Sequence, residues 1–153
     1  MSIPVEAILS NVRAILAGPD DRDDKLLAIC LVLAEQVPHY HWVGFYLAVP
    51  QEQMLELGPF VGEPTDHVRI PYGRGICGRV AQSEQTLVIP DVTAESNYLA
   101  CSIRVRAEIV VPVMRDGRFV AQLDIDSHDV DPFTTDDHRL LEEICLLVAV
   151  LFA

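Results

Sequence analysis

The chain opens with apolar residues at helical spacing. Val5, Ile8, Val12, Ile15 and Leu16 recur until Gly18, and Ser2 with Pro4 marks a start, which predicts a first helix. Past the acidic turn from Pro19 to Asp24, the run Leu26, Leu27, Cys30, Leu31 and Leu33 predicts a second helix that ends before Pro38. The period then changes. His41-Trp42-Val43-Gly44-Phe45-Tyr46-Leu47 gathers aromatic and branched residues as a strand does. Met54 to Val61, His67 to Pro71, Thr86 to Ile89, Glu108 to Met114 and Arg118 to Asp126 read the same way, the last two joined by the hairpin signal Asp116-Gly117. Gly75 to Gln82 predicts a short helix after a glycine turn, and Asp91 to Arg106, with no clean period, reads as a loop over the sheet. Beyond Pro132, Thr134 and Thr135 with Asp136 and Asp137 cap an amphipathic helix carrying Leu140, Leu141, Ile144, Leu147, Val148 and Leu151.

This order of elements describes an α+β sandwich: a central antiparallel sheet, one embedded helix, and N- and C-terminal helices packed on one face. A length of 153 residues suits a single domain, 1–153, around one core. From Ile144 the last helix is apolar nearly all round. Its outer face therefore lies under the first two helices or meets another chain, and a homodimer through these helices is expected.

Charge narrows the partners. Eleven basic against 23 acidic residues leave a formal charge of -12, which repels phosphate backbones and anionic headgroups, so neither nucleic acid nor a membrane surface is expected. The most apolar stretch, Ile144 to Ala153, is half of the roughly 20 residues that a membrane-spanning helix needs. The first residues lack a basic region and a small-residue cleavage site, and a cytoplasmic location is expected. Cys30, Cys77, Cys101 and Cys145 are scattered without a CxxC pair, which suggests free thiols rather than a disulfide framework or a zinc knuckle.

Four features can carry chemistry. Cys101 falls in the irregular stretch Asn97-Tyr98-Leu99-Ala100-Cys101-Ser102, followed by Arg104 and Arg106, whose charges favour a thiolate; its other reading is a small buried hydrophobe. Cys30 and Cys145 lie in apolar helical runs and read as core, which leaves Cys77, after Gly73-Arg74-Gly75, as the partner thiol. Strand alternation puts Asp124 and Asp126 on one face, with Glu108 at the start of the neighbouring strand. If that face lines a cavity, the acids repel, raise a pKa and suit an ammonium group or a shared proton; otherwise it is a solvated face. Trp42, Phe45 and Tyr46 offer an aromatic wall. His39 and His41 form a His-x-His pair with no matching ligand cluster nearby, so no metal is expected.

Together these segments resemble a known family. Trp42-Val43-Gly44-Phe45-Tyr46, Leu57-Gly58-Pro59-Phe60, Arg69-Ile70-Pro71-Tyr72-Gly73-Arg74-Gly75-Ile76-Cys77-Gly78, Leu99-Ala100-Cys101, Glu108-Ile109-Val110-Val111-Pro112 and Leu123-Asp124-Ile125-Asp126-Ser127 are similar, in order and spacing, to the free methionine-(R)-sulfoxide reductases, which are single GAF domains. The resemblance implies a GAF-like fold and reduction of free methionine (R)-sulfoxide. It places Cys101 at the catalytic cysteine, Cys77 at a second family cysteine, and Trp42, Tyr46, Glu108, Asp124 and Asp126 at the substrate pocket. It further implies a Cys101 sulfenic acid, no bound cofactor, and thioredoxin or a similar external dithiol as reductant. Ten residues before Cys77, where the family has another cysteine, stands His67, and the lid sequence around Cys101 also differs, so resolution falls to Cys77 or an external thiol. The competing expectation is a non-catalytic GAF module that binds a small ligand or senses oxidants through Cys101.

Overall fold

Asp116 and Gly117 both adopt positive φ, 52° and 76°, the tight turn for which an Asp-Gly pair is suited. They join β5 (Ala107–Arg115) to β6 (Arg118–Ser127), the longest hairpin of a six-stranded antiparallel sheet. The other strands are β1 (Trp42–Val49), β2 (Met54–Val61), β3 (Arg69–Pro71) and β4 (Leu87–Ile89), and the spatial order is β3-β2-β1-β6-β5-β4. Among the described residues there are four α-helices: α1 (Val5–Ala17), α2 (Arg22–Gln36), α3 (Gly75–Ser83) and α4 (Thr135–Val148). The computed structural model describes residues 2–95 and 104–153.

Strand alternation divides the core in two. Val43 and Phe45 of β1, Ile109 and Val111 of β5, and Leu123 and Ile125 of β6 face Leu26, Ile29 and Leu33 of α2 and Leu140, Leu141 and Ile144 of α4. Helix α1 lies across α2 and α4, so the three terminal helices share one face, as the sequence pattern predicts. Trp42, Tyr46 and Val110 turn to the opposite face and pack with Ile76, Cys77 and Val80 of α3. The outer side of the C-terminal region is only partly covered: Leu146 is 69% and Val150 64% exposed.

Asp137 fixes α4 to the rest of the fold. Its Oδ2 accepts from the backbone N–H and hydroxyl of Thr134 at 2.7 and 3.0 Å, closing a capping box. Its Oδ1 accepts from the Tyr40 hydroxyl at 2.7 Å and lies 2.6 Å from His39 Nε2. Burial alone would raise the Asp137 carboxyl, but the hydrogen bonds from His39, Thr134 and Tyr40 outweigh it and hold the group below the usual carboxylate range.

Element boundaries depart from the sequence expectation where side chains act on the backbone. Ser2 does not cap α1; Pro4 holds the cap position without a side-chain bond. Helix α2 starts at Arg22 because the Asp21 carboxylate accepts the Asp24 N–H at 3.0 Å. Strand β3 starts at Arg69 rather than His67, since Thr65 Oγ1 accepts the His67 N–H and the Asp66 carbonyl accepts the Val68 N–H, which turns the chain there. The described part of the Asp91 to Arg106 loop contains a short 3-10 turn, Val92–Ala94, after Asp91.

Candidate functional site

The site is built by register. An unbroken ladder from the Asp116-Gly117 turn would set Glu108 opposite Ile125. Instead the pairing runs Met114 with Phe119 and then Val113 with Ala121, so Val120 is an extra residue in β6. That bulge shifts every later pair by one. Glu108 therefore stands opposite Asp126 and Val110 opposite Asp124, while on the other side of β6 Trp42 faces Asp126 and Gly44 faces Asp124. The three carboxyl groups come together on the α3 side of the sheet, and all three residues are buried, exposed by 4% or less.

Cys77 enters from the first turn of α3. Its Sγ donates to Asp124 Oδ2 at 3.3 Å and lies 3.8 Å from Glu108 Oε2. Helix α3 can approach so closely because Gly78 has no side chain: a β-carbon there would stand 2.6 Å from the Pro71 carbonyl oxygen. Burial, then the charges of Asp124, Glu108 and Asp126, push the Cys77 thiol up, so it is held as S–H. Burial also pushes Glu108 well above the usual range, reinforced by Asp124 and Asp126. Asp124 is raised by burial as well, but hydrogen bonds from Glu108 and Cys77 act the other way, so Glu108 is the more strongly raised of the two. A protonated carboxylic acid beside an ionised one can donate a proton and hold a cation in the same cleft.

Aromatic side chains form the far wall. The Trp42 ring stacks on Phe60, with centroids 5.4 Å apart, and runs nearly parallel to Tyr46 at 6.3 Å. Trp42 Nε1 donates to the Glu63 carbonyl at 2.9 Å and the Tyr46 hydroxyl donates to the His67 carbonyl at 2.9 Å, which ties the segment between β2 and β3 over the cleft. The cavity that results is lined by Tyr46, His67, Ile70, Ile76, Cys77, Glu108 and Asp124.

Of the predicted site residues, Trp42, Tyr46, Cys77, Glu108, Asp124 and Asp126 meet on this face, and His67 borders it. Cys101 and its neighbours Leu99, Ala100 and Ser102 lie outside the described residues. Phe45, read from sequence as part of the aromatic wall, points to the helix side, because it is one residue out of phase with Trp42 and Tyr46. The two histidines of the His-x-His pair go separate ways. His39 meets Asp137, whereas His41 stacks flat on His128 at 4.1 Å and its Nδ1 accepts the His128 N–H. Sequence reasoning missed Ile70 and Ile76, whose apolar side chains border the cavity with no distinguishing signal in the chain. Cys30 and Cys145 are buried elsewhere, on the Pro59 and Val111 carbonyls. No helix among the described residues is long and apolar enough to cross a membrane.

Residues 23–152 match the GAF domain family. The chain is 37% identical over 143 residues to GAF domain-containing protein A of Dictyostelium discoideum, covering 94% of this chain and 89% of that protein. It is 34% identical over 134 residues to the free methionine-R-sulfoxide reductase of Escherichia coli strain K12, covering 88% and 79%. Among solved structures, the free methionine-R-sulfoxide reductase from Neisseria meningitidis in complex with its substrate superposes with a TM-score of 0.91, at 35% identity over 97% of this chain and 87% of that one.

Proposed function

This chain belongs to the GAF domain family, among its free methionine-R-sulfoxide reductases, and from that premise we propose that it reduces free L-methionine (R)-sulfoxide to methionine in the cleft beneath α3. The observation that carries the reading is the grouping of the Cys77 thiol with Asp124 and Glu108, beside the aromatic wall of Trp42 and Tyr46.

In the proposed reaction the Cys101 thiolate attacks the sulfoxide sulfur while a proton passes from Glu108 to the sulfoxide oxygen. The hydroxyl of that adduct passes to the Cys101 sulfur as the new S–S bond and the substrate S–O bond break, so the methionine sulfur recovers an electron pair and Cys101 carries the oxygen as a sulfenic acid. Asp124 and Asp126 hold the substrate ammonium, a role that favours the free amino acid over a residue within a chain. Cys77 then attacks the sulfenic sulfur. Its proton passes by way of Asp124 to the departing hydroxyl, which leaves as water, and a Cys77–Cys101 disulfide forms, which thioredoxin or a similar dithiol reduces. No bound cofactor takes part. With His67 where the family has a further cysteine, Cys77 is the resolving thiol of this chain.

We further propose that the whole chain works as one GAF domain, in the reducing cytoplasm, as a homodimer through its terminal helices. The exposure of Leu146 and Val150 supports that pairing. Light scattering on the purified protein tests it.

The deciding experiment couples thioredoxin and thioredoxin reductase to NADPH oxidation, with each epimer of free methionine sulfoxide, for the wild type and Cys101→Ser. Turnover of the R epimer alone, lost in the variant, is the expected result. No turnover by reduced protein with several dithiols overturns the reading. Mass spectrometry after one turnover without reductant is expected to show the Cys77–Cys101 disulfide.

A further inference from the structure

From the geometry we infer that Cys77, Glu108 and Asp124 form a binding site for Zn²⁺, which enters in place of the substrate ammonium and blocks the cleft reversibly. The metal site stands on this geometry alone; its effect on turnover rests on the cleft being the sulfoxide site.

Three donors of mixed type, one sulfur and two carboxylate oxygens, lie within 4.8 Å of one another on buried residues. A tetrahedral Zn²⁺ with bonds of about 2.3 Å to sulfur and about 2.1 Å to oxygen sets its sulfur and oxygen ligands about 3.6 Å apart. The observed separations, 3.3 Å from Cys77 Sγ to Asp124 Oδ2 and 3.8 Å to Glu108 Oε2, bracket that value. The three residues are anchored on α3, β5 and β6, so small side-chain adjustments suffice. A second observation points the same way. Asp124 Oδ1 is buried and has no hydrogen-bond partner among the described residues, on a carboxylate that lines the cavity.

The electrostatics favour a cation. Arg79 pairs with Glu95 and Arg104 with Glu63, and among the described residues no ion pair reaches Glu108 or Asp124. Acids and a thiol forced together without a positive partner keep protons they would otherwise lose. A divalent ion releases that frustration: one Zn–S and two Zn–O bonds form, the thiol proton and the proton on Glu108 leave to solvent, and no atom is oxidised or reduced. Three protein ligands leave a fourth position for water. With the sulfur of Cys77 bound to zinc, it cannot resolve a sulfenic acid, and with Asp124 engaged, the ammonium loses one of its two carboxylates and meets a divalent cation beside the other.

The test titrates reduced, metal-free full-length protein with Zn²⁺ against a chromophoric chelator. One ion per chain is expected. Cys77→Ser and Asp124→Asn should each weaken binding at least about tenfold, while Cys101→Ser stays within about threefold of wild type. Co²⁺ serves as the spectroscopic probe: a sulfur-to-cobalt charge-transfer band on the wild type and on Cys101→Ser, absent from Cys77→Ser. This readout needs no folded Asp124 variant. No binding, binding indifferent to Cys77→Ser, or binding lost in Cys101→Ser overturns the site. Turnover assayed in parallel separates the two claims. Zinc binding without sulfoxide turnover overturns the enzymatic reading alone, and turnover without zinc binding overturns the metal site alone. Where both occur, Zn²⁺ should raise KM for the sulfoxide and, by holding Cys77, slow disulfide formation; turnover indifferent to Zn²⁺ overturns the blocking role.

Discussion

Glu108 on β5 and Asp126 on β6 stand directly opposite each other across the hairpin, two acids on one buried face. Like charges directly opposite each other in a ladder destabilise it, so this face is kept for chemistry rather than for stability. The linkage can be measured. A carboxyl raised in the folded state contributes stability below its unfolded pKa, about 4.3 for Glu, and loses it as pH rises toward the folded value. Glu108→Gln removes the ionisation. The variant should match wild type near pH 4 and then gain on it by up to about 1.4 kcal/mol for each pH unit climbed, while sulfoxide turnover falls. Denaturant melts from pH 4 to 8 check this; parallel stability curves for the two proteins would contradict it.

How this pair arises marks the limit of what the chain discloses by itself. Alternation in Leu123-Asp124-Ile125-Asp126 is enough to put two acids on one face, and Asp116-Gly117 is enough to locate the hairpin. Neither discloses that Val120 is an extra residue. Without that bulge Glu108 would look into the helix-side core, so the register, and with it the site, is decided by packing among residues with no local signature. The same holds for His39, to which the sequence assigns no partner and which meets Asp137, nearly a hundred residues away. Helices were legible because their period is local. Their ends were not always so, as Asp21 shows by starting α2 earlier than its apolar run.

Trp42 lies across Gly44 on the pocket face of β1. A β-carbon on Gly44 would stand 2.4 Å from the indole Cη2 and 2.8 Å from Phe60 Cβ, so Gly44→Ala must displace the ring from its stack. Overpacking of this kind costs about 1–3 kcal/mol. Since Trp42 is the single tryptophan, emission reports it alone. The expected outcome is a red-shifted spectrum with greater quencher access and a raised KM for the sulfoxide. An unchanged spectrum would mean that the strand yields instead of the indole.

Asp137 predicts the opposite pH behaviour to Glu108. Its carboxyl is lower in the folded state, so its contribution is present above the unfolded pKa of about 3.9 and is lost as pH falls through the folded value. Asp137→Asn should lower stability by about 2–4 kcal/mol at pH 7, because the bonds from His39, Tyr40 and Thr134 lose their charged acceptor. The difference from wild type should shrink below about pH 4. Turnover per folded molecule should hold, since the capping box lies on the helix side, away from the cleft.

Gln122 carries the last prediction. It stands on the same face of β6 as Asp124, between Tyr46 of β1 and Pro112 of β5, and is fully buried. Neither atom of its side-chain amide has a hydrogen-bond partner among the described residues. Desolvating an amide without compensation costs about 1–3 kcal/mol in proteins, whereas a leucine fills similar space without that cost. Gln122→Leu should therefore raise the denaturation midpoint by an amount worth about 1–2 kcal/mol, with the denaturant slope unchanged. Because the residue adjoins the acids without touching the proposed proton path, kcat should move less than stability does. A variant that loses stability would show that the amide is hydrogen-bonded in solution, most simply through a buried water, and would place a polar link between the floor of the cleft and Tyr46.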